Sequence, residues 1–347
     1  MTLVESFAIA VVLAVIGWLC LGSWPNAFKL SQWRFELSYL DAVLGVFLAS
    51  VLLAFTLGTF GYDSFTFTDD VLHAGKRNLA YGIAAGAVLN LGLMLLVAGM
   101  SIIGMTLAFL IGFGLGTGVA VLLAYLASPH GNLVLLSFGA AALVASIACG
   151  LITHRLLSLC REFHKMKMGE HRTLRPTVHW KGVVLSSVGG MVMALANPLL
   201  EMAREPEIGV GPYSLTFLVA AGMLGSAVFY ELYFLNLPVR GAPLEPTAYL
   251  RGTWRQHLLG FLGGVVLSAG LAIWLILEAS PAGLSQAHAL FFTLGQGAPL
   301  LIAAWGLIIW KEFQHADGKT YAYLAAAAAL YAAAIVLLGS GLTPPPA

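Results

Sequence analysis

Ten long apolar stretches, each about as long as a bilayer core is thick, limit what this chain can become. A hydrocarbon core asks for ~20 apolar residues per helix. On that ruler the predicted spans are 5–24, 39–61, 76–98, 104–127, 132–153, 181–203, 213–236, 256–279, 286–310 and 320–341. The gaps between them are mostly short and hold Pro25, Pro129, Pro212, Pro238, Pro243 and Pro281, while Pro344 to Pro346 read as a disordered tail. Barrel strands would be ~10 residues long with polar–apolar alternation. These runs are instead continuous and rich in Leu, Ala and Gly. The expected fold class is therefore an all-α polytopic membrane protein with ten transmembrane helices. Composition agrees, with 59% hydrophobic and 10% charged residues in 347, where a soluble domain carries about 25% charged. The net charge of +1 gives no reason to expect nucleic acid or an acidic partner.

The first apolar run, Ser6 to Leu21, follows Glu5 and lacks a positive flank, so it reads as a retained span and not a signal peptide. Cys20, Cys149 and Cys160 form no CxxC and suggest neither a disulfide framework nor a zinc site. With ten spans, alternate gaps share a side. Of the 17 Lys and Arg, all but Lys76, Arg77 and Arg204 then fall on one side. The positive-inside rule puts that side, with the basic gap 154–180, in the cytoplasm and both termini outside. The expected location is the inner (plasma) membrane.

The basic loop 154–180 divides the chain into 1–153 and 181–347, each with five spans. An odd number of spans makes two homologous halves inverted repeats. Two local likenesses favour this. Gly86-Ala87-Val88-Leu89-Asn90-Leu91-Gly92-Leu93 in the third span resembles Gly264-Val265-Val266-Leu267-Ser268-Ala269-Gly270-Leu271 in the eighth. Phe109-Leu110-Ile111-Gly112-Phe113-Gly114 in the fourth resembles Phe292-Thr293-Leu294-Gly295-Gln296-Gly297 in the ninth.

Solute sites of such carriers lie near mid-depth between the repeats. Gln296 is the first candidate, because a buried amide without partners costs ~1–3 kcal/mol. Asn90, and Asn197 beside Pro198, follow, with interhelical hydrogen bonding as their structural alternative. Gly112 and Gly114 sit about half-way through the fourth span and either widen a cavity or let helices pack closely. Trp18 is too deep for an interfacial belt and could stack on a ring-shaped solute. Trp24, just before Pro25-Asn26, fits the belt better, and Trp24 and Asn26 complete the candidate set. Among the acids Glu5, Asp41, Glu201, Glu231 and Glu278, Glu201 is placed deepest and is the first proton-relay candidate, with interfacial solvation as the alternative. Asp41 opens the second span, where a helix N-terminus favours an acid. No HExxH, GxSxG or P-loop spacing occurs, so an enzyme is not expected. His154, His164, His171 and His179 belong to the basic stretch and read as solvated. No cofactor or metal is expected.

Gly22-Ser23-Trp24-Pro25 followed by Tyr39-Leu40-Asp41 resembles the opening of the ureide permeases and their bacterial relatives. Tyr233-Phe234-Leu235-Asn236-Leu237-Pro238-Val239 with Tyr249-Leu250 resembles their seventh span and the loop after it. Ala298-Pro299-Leu300, Trp305-Gly306, Glu312 and Thr320-Tyr321 resemble their ninth span and last loop. That family belongs to the drug/metabolite transporter superfamily, near the glucose and rhamnose permeases. The resemblance implies ten helices, inverted repeats, and proton-linked uptake of allantoin, uracil and similar heterocycles, with Asp41 as a second coupling candidate. The P-loop-like sequence of plant members has no counterpart in 154–180, so nucleotide regulation is not carried over. The expected partners are a small solute, the bilayer and protons. A homodimer, a sugar permease, and a membrane-embedded enzyme or receptor stay open as alternatives.

Overall fold

A computed structural model describes residues 4, 6–60, 65–167, 180–205, 208–279 and 288–342. Glu5, His171, His179 and the prolines of the tail lie outside the described residues. The helices, in chain order, are α1 (Phe7–Ser23), α2 (Asn26–Ser31), α3 (Phe35–Phe55), α4 (Phe67–His73), α5 (Lys76–Ile103), α6 (Met105–Ala127), α7 (Leu133–Lys167), α8 (Trp180–Ala194), α9 (Ala196–Ala203), α10 (Pro212–Asn236), α11 (Trp254–Glu278), α12 (His288–Gln296), α13 (Ala298–Ala304) and α14 (Gly318–Leu342). A 3-10 turn, Pro246–Arg251, precedes α11, and Trp305–Ile309 forms a π-helical turn after α13. Among the described residues there is no strand, and ten helical stretches are long and apolar enough to cross a membrane. Large apolar side chains such as Phe7, Val12, Leu52, Leu126, Phe138, Val144 and Phe229 lie bare on their surfaces. Such a surface suits lipid, which also forces every backbone polar group to be satisfied within the helices.

Three spans are interrupted. The first breaks at Trp24-Pro25 between α1 and α2, the sixth at Leu195 between α8 and α9, and the ninth at Gly297 between α12 and α13. Pro25 and Pro198 sit at two of these breaks, as a residue without an N–H requires. The short α4 was not expected. Its start is nevertheless written in Thr66-x-x-Asp69, whose side chains and backbone N–H groups bond reciprocally as a capping box. A correction concerns the basic loop, because 154–167 continues α7 as helix and does not leave the fifth span as a loop. His154 and Leu157 stay buried along one face, and Arg161 donates to the Glu312 carbonyl at 2.7 Å. An amphipathic continuation of this kind keeps its helical period while carrying basic residues on the open side. His154, expected in solvent, is thus buried and meets the Trp180 ring edge-on at 6.1 Å. His164 is exposed and stacks on His315 at 3.8 Å.

Cα proximity divides the chain into two compact units, one made of Met1–Met94 and Val192–Ala298, the other of Leu95–Met191 and Pro299–Ala347. In the first unit, α11 crosses α3 and α10 crosses α5 at backbone distance. A Cβ at Gly264 would lie 1.8 Å from the Ala42 carbonyl oxygen, and one at Gly45 would lie 2.1 Å from that of Phe261. At the other crossing, a Cβ at Gly86 would lie 2.0 Å from the Val219 oxygen, and one at Gly222 2.0 Å from that of Ile83. The contact of Gly264 with Ala42 is matched by that of Gly86 with Val219. Gly45 against Phe261 is likewise matched by Gly222 against Ile83. In the second unit, Gly190 on α8 meets Gly112 on α6, where a Cβ on Gly190 would be 1.7 Å from the Gly112 oxygen. The long pairing of α7 with α14 is fixed by Ser146, whose hydroxyl donates to the Ala327 carbonyl at 2.7 Å.

Overpacking a core costs ~1–3 kcal/mol when side chains can yield, and a backbone carbonyl yields least. Gly264→Leu is expected to abolish the monodisperse detergent-solubilised protein in size-exclusion chromatography. Gly225→Ala, where nothing lies within 4 Å of the added methyl, is expected to elute as wild type. Equal behaviour of the two variants would contradict the packing described.

Candidate functional site

The break in the ninth span brings two indoles to one short segment. The Gly297 N–H bonds back to the Leu294 carbonyl, three residues away, at 3.1 Å, so the α-helical ladder tightens and stops there. A Cβ at Gly297 would be 3.4 Å from Trp18 Nε1, and one at Gly295 would be 3.4 Å from Trp274 Cδ1. Gly295-Gln296-Gly297 therefore runs between Trp18 of α1 and Trp274 of α11, with each indole at van der Waals distance from one of the two glycines. Trp18, Trp274 and Gly295 line a crevice together with Gly17, Gly270 and Phe291. Its enclosed space is about 10 Å3, room for about one water. Trp274 escaped the sequence reading because it lies four residues from the end of α11, where a tryptophan reads as interfacial. The α1–α11 packing that turns it toward α12 involves Gly17 against Ile273 and Gly270 against Leu21.

The other amide and glycine candidates divide. Asn90 is 0% exposed. Its Oδ1 and its carbonyl both accept from Tyr39 Oη, at 3.0 and 3.1 Å. Its Nδ2 donates to the Met223 carbonyl at 3.1 Å and to Ser226 Oγ at 2.9 Å. One side chain thus ties α3, α5 and α10. Gly112 is used for the contact with Gly190, and Gly114 faces Ile147 and, more distantly, Tyr331. Trp24 is buried, meeting Phe28 edge-on at 5.8 Å, and Phe28 in turn stacks on Tyr39 at 6.1 Å. Asn26 Nδ2 donates to the Ser23 carbonyl at 2.9 Å across the first break. Asn197 is half-buried in the first turn of α9. Of the eight solute candidates, Trp18 and Gln296 therefore share one locus, with Gly114 and Asn197 elsewhere and the rest engaged in packing or hydrogen bonds.

The acids are also arranged differently from the sequence reading. The Glu201 side chain is 69% exposed at the end of α9 and lies 3.7 Å from Arg204. Arg204 pairs more closely with Glu278 of α11, at 2.7 Å. Glu201 is therefore not the deepest acid, because α9 ends two residues beyond it and neighbouring helices do not cover it. Asp41 is buried and bonded by two groups that spacing could not reveal. Tyr249 Oη donates to its Oδ1 at 2.5 Å, and His257 Nδ1 lies 3.0 Å from its Oδ2. Trp33 closes over both partners, stacked on Tyr249 at 6.1 Å and edge-on to His257 at 5.1 Å. Burial, and then the Asp41 carboxylate that its hydroxyl serves, push the Tyr249 phenol well above its ordinary range, so it remains a donor. Glu36 is buried against Arg34 at 2.9 Å, and Arg34 also donates to the carbonyls of Arg240 and Ala242. Among the described residues no group of three His, Cys, Asp or Glu is placed to hold a metal ion.

The four bonds at Asn90 make a stability prediction. Interhelical hydrogen bonds in membranes are worth ~0.6–2 kcal/mol. Asn90→Leu, which removes several and leaves Tyr39 Oη buried, is expected to lower the thermal unfolding midpoint in detergent clearly. Tyr39→Phe is expected to lower it less. An unchanged midpoint in Asn90→Leu would show that the tie among α3, α5 and α10 is not made.

No family profile matches the chain. It does align along nearly all its length with plant permeases. Ureide permease 1 of Arabidopsis thaliana is 21% identical over 97% of this chain and 98% of its own length. Ureide permease 2 of the same plant is 22% identical, and ureide permease 4 is 23% identical, with the same shares covered. A chain from one crystal structure superposes at a TM-score of 0.52 with 13% identity, covering 96% of both chains, which is a likeness of fold. The protein is thus a multi-pass membrane protein, with ten candidate membrane-crossing stretches among the described residues, similar throughout to ureide permeases, and a transporter rather than an enzyme.

Proposed function

We propose that this chain is a secondary transporter for small, flat, amide-bearing heterocycles, ureides such as allantoin or nucleobases such as uracil. It would work by alternating access between inverted repeats 1–153 and 181–347. The observation that carries the solute reading is the pair of indoles, Trp18 and Trp274, facing the interrupted segment Gly295-Gln296-Gly297. Indole faces stack on planar rings, and the Gln296 amide offers a donor and an acceptor to a cyclic urea. The names of the plant relatives support the same solute class. The matched crossings, Gly264 on Ala42 and Gly86 on Val219, support the inverted repeat. A ureide does not fit in a space for one water, so the crevice has to open. The breaks at Trp24-Pro25 and Gly297 are interruptions at which half-helices can tilt.

The charge asymmetry supports a plasma-membrane protein with both termini outside and 154–167 in the cytoplasm. Proton coupling is the energy source this reading favours. Asp41, held by His257 and Tyr249 inside the protein, suits it better than the uncovered Glu201.

Thermal unfolding of the purified protein with allantoin, uracil, glucose or rhamnose tests the solute class. A ligand at 100 times its Kd adds about 2.7 kcal/mol, which is expected for a ureide or nucleobase. Trp274→Ala and Gln296→Ala are expected to lose that shift while keeping the unliganded midpoint. A shift with the sugars alone would replace this reading with a sugar permease. For orientation, Lys165→Cys in a chain without Cys20, Cys149 and Cys160 is expected to resist an impermeant thiol reagent in intact cells. Labelling there would reverse the topology.

A further inference from the structure

A buried acid whose carboxylate has no hydrogen-bond partner belongs neither to the aromatic crevice nor to the Asp41 pair. Glu231 lies on α10, one turn before Phe234, whose ring meets Phe35 of α3 edge-on at 5.9 Å. It is 6% exposed, and neither of its carboxylate oxygens has a hydrogen-bond partner. The titratable groups around it offer no opposite charge of their own. On α3 the charges of Glu36 and Asp41 repel it, and Tyr39 lies within its electrostatic reach. Tyr249 of the 3-10 turn does too. The nearby Arg34 is already engaged on Glu36, and His257 is bonded to Asp41. A charged carboxylate in such a place would be unpaired, unbonded and opposed by two others, an arrangement buried charges do not tolerate. A proton removes the charge at once and leaves a neutral acid that burial accepts.

We propose that Glu231 is the proton-binding residue of this transporter, holding its proton while enclosed between α10 and α3 and exchanging it when those helices part. The proposal rests on the proton-coupled reading above and places the proton on Glu231 instead of Asp41. Close by in charge terms is Asp41, itself buried and bonded to the partly open His257 on the first turn of α11. Loss of the proton is favoured only when water or a cation reaches the carboxylate, so proton exchange is tied to the opening of the helices. That tie is what coupling needs, because release in the closed state would be a leak. A structural acid would instead be paired or hydrogen-bonded, as Glu36 is.

Two readouts on Glu231→Gln test the proposal, since the amide has the shape of the neutral acid and is expected to fold. The first is the infrared carbonyl stretch of protonated carboxylic acid in the purified protein near neutral pH, expected to be lost in part in Glu231→Gln. The second is solute uptake into proteoliposomes with an inward proton gradient. One pH unit is expected to give wild type about tenfold accumulation for one proton per solute, about 1.4 kcal/mol, and Glu231→Gln none, while the variant still exchanges labelled for unlabelled solute across the membrane. Unchanged infrared absorption would overturn the proposal, because Glu231 would then carry no proton. Accumulation by Glu231→Gln equal to wild type would also overturn it while sparing the coupled reading. If wild type itself ignores the gradient, the coupled reading fails, and the proposal fails with it whatever the infrared result. Should Glu231→Gln not purify as a monodisperse protein, Glu231→Asp serves the same comparison, with slower gradient-driven uptake expected and an unchanged rate contradicting the proposal.

Discussion

Lipid cannot hydrogen-bond a peptide, and that constraint shapes the whole molecule. It makes the spans helical, and it removes most of the hydrophobic drive that would hold helices together in water. Attraction has to come from close approach and from polar bonds between helices instead. The chain meets the first need with glycines placed where two backbones touch, Gly264 on Ala42 and Gly86 on Val219 in one unit, Gly190 on Gly112 in the other. It meets the second with few but saturated polar residues, of which Asn90 is the clearest, bonding to Tyr39, Met223 and Ser226.

Against that economy, the places where helices stop early or polar groups go unbonded carry the functional argument. The ninth span ends its ladder at Gly297 between two indoles. Glu231 is enclosed without a hydrogen bond. Neither arrangement improves stability. A continuous helix would satisfy more backbone, and a leucine at 231 would avoid burying an acid. Strained or costly features of this kind are expected where a protein works. Both lie in the unit formed by Met1–Met94 and Val192–Ala298.

Much of this was legible in the amino-acid sequence. Span lengths and the continuity of apolar runs put every expected span on an observed helix, although the second runs six residues past the end of α3 and the third stops five residues before the end of α5, and they located the basic stretch between the fifth and sixth. The end of α7 was missed because its basic residues masked an apolar stripe that keeps Leu157 buried. Depth counting picked out Trp18 and Gln296, and Trp18 lies against Gly297, the residue after Gln296. It could not find Trp274, whose direction depends on the α1–α11 packing, nor separate Asn90 as a tie among helices from Asn90 as a solute ligand. The acids were ranked by distance along a helix, and that ranking fails when a helix end is left uncovered. Glu201, two residues from the end of α9, is exposed for this reason, whereas Glu231, five residues from the end of α10, is buried.

The central claim is that this chain carries a ureide or nucleobase across a membrane. Counterflow tests it without assuming any energy source. Proteoliposomes loaded with unlabelled allantoin or uracil are diluted into a trace of the labelled compound. The account predicts a transient internal excess of label that decays to equilibrium, present with the protein and absent from empty vesicles. Label that never exceeds its equilibrium level with any ureide or nucleobase would contradict it.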